Sequence, residues 1–149
     1  YLTCFHYDFA MDPINFDAAN TMKTPAHIYP EWYFLWSYEV LRGFFFDIGG
    51  IAAMDIGLMA FGFANIIFML LPFLDKNPHH VAPAHQRPLF KYWFWILLLD
   101  MIILTVYGKL PPTGANAWVG FGATLTFIAL FVALPIITKI EARTQGDKQ

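Results

Sequence analysis

The sequence contains little charge for its length. Asp, Glu, Lys and Arg together make up 13% of the 149 residues, whereas 58% are hydrophobic and 19% are aromatic. An ordinary soluble domain carries about 25% charged residues, so this composition excludes a typical soluble protein. The net charge of −2 also argues against nucleic acid as a partner, because nucleic acids are bound by basic surfaces.

Cysteine is almost absent. Cys4 is the only one, so no disulfide forms within the chain, and no Cys-x-x-Cys-His motif is present for covalent haem attachment. The first residues lack the basic region of a secretory signal. Because the sequence starts at Tyr1 rather than Met, we expect a processed, truncated or incompletely read N-terminus.

Histidine is missing from every long apolar run. A b-type haem held inside a membrane needs axial ligands on the spanning helices, so we expect any b haems to be carried by a partner chain. Three histidines share one loop, but their spacing matches no strong metal-binding pattern, and we predict no metal site. The five histidines are His6, His27, His79, His80 and His85.

Long apolar runs, in contrast, dominate the last two thirds of the chain. About 20 apolar residues are enough to cross a bilayer as a helix, and three segments meet this length. The sequence therefore predicts an all-α integral membrane protein with three transmembrane helices. We divide the chain into an N-terminal loop segment at 1–23, a membrane domain at 24–141 with spans at about 55–74, 89–107 and 117–139, and a charged tail at 142–149.

The segment TPAHIYPEWYFLWSYEVLR, residues 24–42, combines aromatic and ionisable side chains. Pro30 is suited to the first turn of a helix, because no ladder hydrogen bond is needed there. A helix over 31–46 would place Glu31, Tyr38 and Arg42 on one face. The opposite face is apolar, so we predict an amphipathic helix lying at the membrane interface.

Positive charge is distributed unevenly between the two sides of the predicted bundle. Loops on the cytoplasmic side of membrane proteins carry an excess of Lys and Arg, which places the 75–91 loop and the C-terminus on the negative side. The 24–42 segment then faces the positive side of a bacterial inner membrane or its equivalent. The counts are six against three: Lys76, Arg87, Lys91, Lys139, Arg143 and Lys148 against Lys23, Arg42 and Lys109.

Several acidic residues allow both a structural and a chemical interpretation. Glu31 at a helix start interacts favourably with the helix dipole, but among aromatic rings it would also have a raised pKa and could exchange a proton near neutral pH. Asp100 lies within a predicted span, where burial of a charge is costly. We expect it to face protein and pair, and favour a hydrogen-bonding role over a proton relay. Glu39 and Arg42 have the spacing of a helical salt bridge.

The 24–42 segment resembles the quinol-oxidation loop of cytochrome b, with Pro30-Glu31-Trp32-Tyr33 as its PEWY signature. The resemblance continues through LLPFLDKNP and RPLFKYWFWILLLDMIILTVYG to the ending Leu134-Pro135…Ile140-Glu141, and so covers roughly 24–141. It indicates the C-terminal region of cytochrome b, which in split systems is a separate chain called subunit IV.

The resemblance implies a subunit of a cytochrome bc-type complex, respiratory or photosynthetic, rather than an autonomous enzyme. Such a complex oxidises a lipid quinol near the positive membrane face and releases two protons there. One electron passes to a Rieske iron–sulfur protein, and the other to b haems on the N-terminal cytochrome b chain. A c-type cytochrome and a dimeric assembly are also implied.

The resemblance also assigns roles within the predicted quinol site. Glu31 is the expected acceptor of a quinol proton, which makes it the candidate catalytic residue. The expected quinol-binding residues are Pro30, Trp32, Tyr33, Phe34, Tyr38 and, on the first span, Phe61.

Two other functions remain open at this stage. The chain could be a structural membrane anchor that packs against a haem-bearing cytochrome b chain without a quinol site of its own. It could also be a transporter fragment with Asp100 as a coupling site, although the Gly and Pro pattern indicates no unwound span.

Overall fold

The computed structural model describes residues 1–6, 29–77 and 86–146, together with residues 16, 18 and 22. The predictions for most of the N-terminal loop segment, for His27, for the loop histidines His79, His80 and His85, and for the last three residues of the tail lie outside this part of the chain.

The described residues form helices and no named strand, which confirms the all-α prediction. Three helices are long and apolar enough to cross a membrane. The elements are α1 (Leu2–Phe5), a 3₁₀ helix (Trp32–Phe34), α2 (Leu35–Arg42), α3 (Ala53–Leu74), α4 (Pro88–Lys109) and α5 (Ala115–Gly146).

The helix predicted over 31–46 is shorter in the structure, and the predicted bounds are wrong at both ends. Glu31 precedes the 3₁₀ turn with extended backbone angles, φ −55° and ψ 153°, so it does not share a helical face with Tyr38 and Arg42. The helix stops at Arg42. Gly43, a weak helix former, follows and packs so closely on α5 that a Cβ there would lie 2.5 Å from the Thr124 hydroxyl.

A tight turn carries the chain from α2 into α3. Ile48 and Ile51 exchange backbone hydrogen bonds of 3.1 and 3.0 Å across two glycines. Both glycines have positive φ, 60° at Gly49 and 86° at Gly50. Any residue with a Cβ would adopt this conformation only at a cost in free energy. The Asp47 carboxylate then accepts the backbone N–H of Ala53 at 2.8 Å and caps the start of α3.

The core contains large apolar side chains of α4 and α5 together with smaller ones of α2 and α3, namely Val40, Ala60, Ala64 and Ile67. Buried residues recur every three or four positions along α4, as expected for one face of a helix. The Trp93 indole N–H donates to the Leu130 carbonyl at 2.8 Å, which fixes the register of the two antiparallel helices. Trp93, Leu97 and Leu104 of α4 pack with Phe127, Phe131 and Leu134 of α5.

The two ends of this bundle differ in chemistry. At one end, α2 packs on the start of α3, the end of α4 and the start of α5. At the other end, buried Arg87 binds the Asp75 carboxylate through two hydrogen bonds of 2.8 and 2.9 Å and Glu141 through one of 3.0 Å. Glu141 also accepts the backbone N–H groups of Leu89 and Phe90. It thereby caps α4, as a carboxylate at a helix N-terminus does.

Candidate functional site

The helix that follows the PEWY segment is held by one glycine from each span. A Cβ at any of these three positions would overlap an atom of α2. The close approach brings the short, polar α2 against the ends of three apolar helices at once. The contacts are Gly57 of α3 on the Leu41 carbonyl, Gly108 of α4 on the Leu35 carbonyl, and Gly120 of α5 on the Glu39 carboxylate.

Arg42 provides a polar tie between α2 and the end of α4. Its Nε donates to the Glu39 carboxylate at 2.6 Å, which confirms the predicted salt bridge. Its Nη2 donates to the Tyr107 carbonyl and, at 2.6 Å, to the Leu110 carbonyl. These carbonyls lie in the last turn of α4 and directly after it, and the Tyr107 carbonyl also accepts the backbone N–H of Leu110 at 3.1 Å. The guanidinium also lies over the Tyr38 ring, 5.1 Å from its centroid.

Glu39 is buried beneath this tie, with 3% of its surface exposed. Burial raises the pKa of the Glu39 carboxyl above its ordinary value, because desolvation disfavours the charged form; the hydrogen bond and the charge of Arg42 act in the opposite direction. The charged form of the Glu39 carboxyl is therefore stabilised by Arg42.

The PEWY segment leads into α2 and presents an exposed aromatic surface, called the ledge below, that consists of Trp32, Tyr33 and Phe34. Tyr29 and Pro30 are half-buried, and the Lys109 ammonium lies 5.4 Å from the Tyr29 ring centroid. Glu31 is exposed. The burial that the neighbouring aromatic residues suggested is thus not supplied by the part of the chain that the structure describes.

Three consecutive aromatic side chains, Trp32, Tyr33 and Phe34, form the ledge. They are 69%, 52% and 51% exposed. Neighbouring rings contact each other, with centroids 5.7 Å apart for Trp32 and Tyr33 and 4.9 Å apart for Tyr33 and Phe34. A 3₁₀ turn has three residues per turn, so these rings point in different directions and present an apolar surface beside the Glu31 carboxylate.

The remaining predicted site residues lie on helices that flank the ledge. Tyr38 is half-buried on α2 under Arg42. Phe61 is half-buried on α3. Along α3 it lies between two points of contact with α2, namely Gly57 on Leu41 and Phe68 on Trp36. Because residues four apart share one face of a helix, Phe61 lies on the same face of α3 as Gly57, one turn further along.

Asp100 lies away from the ledge, in the buried face of α4 between Leu97 and Leu104. It is 5% exposed and faces protein, as predicted. Among the residues that the structure describes, however, its Oδ2 has no hydrogen-bond partner, so the predicted pairing is not seen at that oxygen.

A b haem does not fit the helices of this chain. Axial ligation within a membrane requires imidazole groups on the spans, and α3, α4 and α5 contain no histidine. The chemistry available at the ledge is instead that of a carboxylate, a phenol and exposed aromatic rings, which suits an apolar ring bearing a hydroxyl group.

Four contacts of this site were not anticipated from the sequence. The Lys109–Tyr29 contact and the two carbonyl contacts of Arg42 join residues more than 60 positions apart. The contact of Gly120 with Glu39 likewise depends on how α5 packs. The glycines themselves were the available signal, because small residues mark close helix packing in membranes.

Comparison with known proteins gives a consistent family. A family model described as Cytochrome b(C-terminal)/b6/petD matches residues 18–130. The cytochrome b of Cereibacter sphaeroides is 39% identical, over 87% of this chain and 31% of that protein. The cytochrome b of Rhodobacter capsulatus is 36% identical, over 87% of this chain and 32% of that protein.

A solved structure of a hyperthermophilic respiratory complex III contains a chain with the same fold. It aligns with a TM-score of 0.80 and 40% identity, over 95% of this chain and 33% of that chain. The present chain thus spans about a third of the length of the relatives it matches. With this agreement in sequence and in helix arrangement, the chain belongs to the cytochrome b C-terminal (b6/petD, subunit IV) family.

Proposed function

We propose that the chain contributes the quinol-oxidation site of a cytochrome bc-type complex in a membrane. The observation that carries the proposal is the position of Glu31 at the edge of the aromatic ledge formed by Trp32, Tyr33 and Phe34. An exposed apolar surface of this kind suits a quinol head group, and the carboxylate is placed to receive its proton.

The step assigned to this chain is proton removal. One hydroxyl of a quinol bound on the ledge transfers its proton to the Glu31 carboxylate, and the second hydroxyl proton leaves to an acceptor on a partner chain. The two electrons pass to redox centres on partner chains, so the quinol becomes a quinone. General-base catalysis requires the base to reach the proton, and an exposed Glu31 can then turn to release it to water. Tyr38 and Phe61 form the inner wall of the proposed pocket, and Pro30 sets the direction of the ledge.

The proposed partners and orientation follow from the same reasoning. A haem-bearing N-terminal cytochrome b chain, a Rieske protein and a c-type cytochrome would complete a dimeric complex. A partner chain covering the ledge would supply the burial that Glu31 lacks. We place the ledge on the positive side of the membrane and the C-terminus on the negative side, in line with the Lys and Arg counts.

The test is the variant Glu31→Gln in the purified complex. We expect the complex to assemble normally, because the Glu31 side chain is exposed, and to lose most of its quinol-dependent turnover, because an amide cannot accept the proton. Removal of a general base typically lowers the rate about 10²–10⁴-fold. Asp55→Asn is the matched control, since Asp55 is also an exposed carboxylate near the same end of the bundle.

A second measurement separates this function from that of a structural anchor. Quinol-dependent reduction of the b haems of the complex is followed with and without stigmatellin, an inhibitor of the positive-side quinone site. Sensitive reduction supports the proposal. Undiminished turnover in Glu31→Gln, or reduction that ignores the inhibitor, would leave the chain as a scaffold for its neighbours.

A further inference from the structure

We propose that Glu39, seated on Gly120, is a positioning residue of the proposed quinol site, acting through Arg42 on Tyr38. The inference rests on the proposed function, because Tyr38 is one of the pocket residues assigned there. It assigns a role in the site to Glu39 on α2 and Gly120 on α5, which lie outside the PEWY segment and do not touch the substrate.

The Glu39 carboxylate packs directly against Gly120 of α5. Glu39 is almost fully buried, and one of its carboxylate oxygens occupies the space that a Cβ at residue 120 would fill. A glycine at this position is therefore required for the carboxylate to reach its observed place. Gly122, two residues further along the same helix, has no atom within 4 Å of its corresponding position.

Glu39 in turn orients the guanidinium of Arg42. The 2.6 Å contact with Nε fixes the plane of the guanidinium. Its Nη2 is then directed at the carbonyls of Tyr107 and Leu110. Hydrogen bonds between charged groups are the stronger kind and are directional, so the guanidinium has one favoured orientation.

Arg42 contacts Tyr38, one of the residues of the proposed pocket. The guanidinium carbon lies 5.1 Å from the centroid of the Tyr38 ring, within the range of a cation–π contact. Tyr38 is thus held on one side by a group whose own position depends on Glu39. Without the carboxylate, Arg42 keeps its two carbonyl contacts through Nη2 but loses the contact that fixes its Nε. The plane of the guanidinium is then less restrained, and so is the Tyr38 ring that packs against it.

The experiment compares four variants in the purified complex: Glu39→Ala, Glu39→Gln, Gly120→Ala and the control Gly122→Ala. Stigmatellin affinity and the KM for quinol are measured alongside kcat and the amount of assembled complex. We expect Glu39→Ala and Gly120→Ala to weaken inhibitor binding and raise KM about tenfold, which corresponds to about 1.4 kcal/mol. Gly122→Ala should match the wild type.

Glu39→Gln separates positioning from proton transfer. The amide oxygen can still accept the hydrogen bond of Arg42 Nε, so we expect this variant to recover inhibitor affinity and KM and to leave the pH profile of turnover unchanged. A Glu39→Gln complex with normal inhibitor affinity but a shifted pH profile would make Glu39 a proton carrier and overturn the positioning role.

The remaining outcomes are also decisive. If stigmatellin inhibits the wild type while Glu39→Ala and Gly120→Ala bind it as Gly122→Ala does, the pair only anchors α2 and the inference is wrong. If Gly120→Ala fails to assemble, the two Glu39 variants still decide the question. If the inhibitor has no effect on the wild type and Glu31→Gln keeps its turnover, the proposed function fails and takes this inference with it.

Discussion

The buried ion cluster at the end of the bundle opposite to α2 allows a quantitative prediction for Arg87→Gln. Arg87 is 3% exposed and donates to two carboxylates, with hydrogen bonds of 2.8 and 2.9 Å to Asp75 and 3.0 Å to Glu141. Removing one partner of a buried ion pair costs about 3–5 kcal/mol, because the other charge is left in a poorly solvated place.

The surviving donors decide where in that range the value falls. Glu141 keeps the backbone N–H groups of Leu89 and Phe90 at 3.0 and 3.1 Å and the Asn77 amide at 3.3 Å. Asp75 keeps the Asn77 backbone N–H at 3.1 Å. Neither carboxylate is left isolated, so we expect Arg87→Gln to lower the free energy of unfolding by about 3 kcal/mol, the lower end of the range.

The assay is unfolding of the complex in mixed micelles as the fraction of denaturing detergent is raised. Arg143→Gln is the control, since Arg143 is an exposed arginine near the same end, and such a change should stay within about 0.5 kcal/mol. A double-mutant cycle with Asp75→Asn isolates the pairwise energy. If Arg87→Gln is no more destabilising than Arg143→Gln, the cluster contributes nothing to stability and the reasoning from burial is wrong.

Two further predictions concern α2. Gly57→Ala should destabilise the chain by about 1–3 kcal/mol and loosen the site, because the new methyl group would overlap the Leu41 carbonyl; Gly62→Ala on the same helix has open space and should be neutral in the same unfolding assay. The second prediction is a pH dependence. Because burial raises the folded-state pKa of Glu39 above 4.5, its contribution to stability is present below that value and declines as the pH rises through the folded-state pKa. Unfolding measured across this window should show the decline in the wild type and not in Glu39→Gln, and an identical slope in both would contradict it.

The packing of α2 has a consequence for how the proposed site is built. Its eight residues form too short a helix to be stable alone in water, so its position depends on the three glycine contacts and on Arg42. The ledge is consequently set by the spans rather than by the segment that carries the motif. Substitutions at these distant glycines are expected to affect the site without touching it.

Sequence reasoning found the spans because their signal is local. A run of about 20 apolar residues has one stable structure in a bilayer, and α3, α4 and α5 follow from it. The spans extend beyond the predicted bounds at several ends, most of all in α5, which continues to Gly146. Glu141, the last residue of the predicted membrane domain, is buried in the ion cluster. Residues 142–146, predicted as part of a charged tail, continue the same helix.

In the candidate site, too, the features that are local in sequence were predicted and those that depend on packing were not. The residues of the ledge and the Glu39–Arg42 pair are close in sequence and were identified from spacing and from the resemblance of the motif. The helix predicted over 31–46 was too long, because the periodicity of the sequence does not show that Gly43 packs closely on α5. The exposure of Glu31 was not foreseen either, since the number of aromatic neighbours in sequence does not determine how many of them cover a side chain.

The sequence by itself determined that this is an all-α membrane chain of the cytochrome b C-terminal family, with three spans and an aromatic, carboxylate-bearing segment before the first of them. Those properties depend on composition, on run length and on contiguous motifs. Only the tertiary structure decided that Gly57, Gly108 and Gly120 seat α2, and that Arg42 ties it to the end of α4. It also decided that Arg87 joins Asp75 to Glu141. The physical reason is that these contacts connect residues far apart in the chain, and their existence depends on which helix faces meet and in what register.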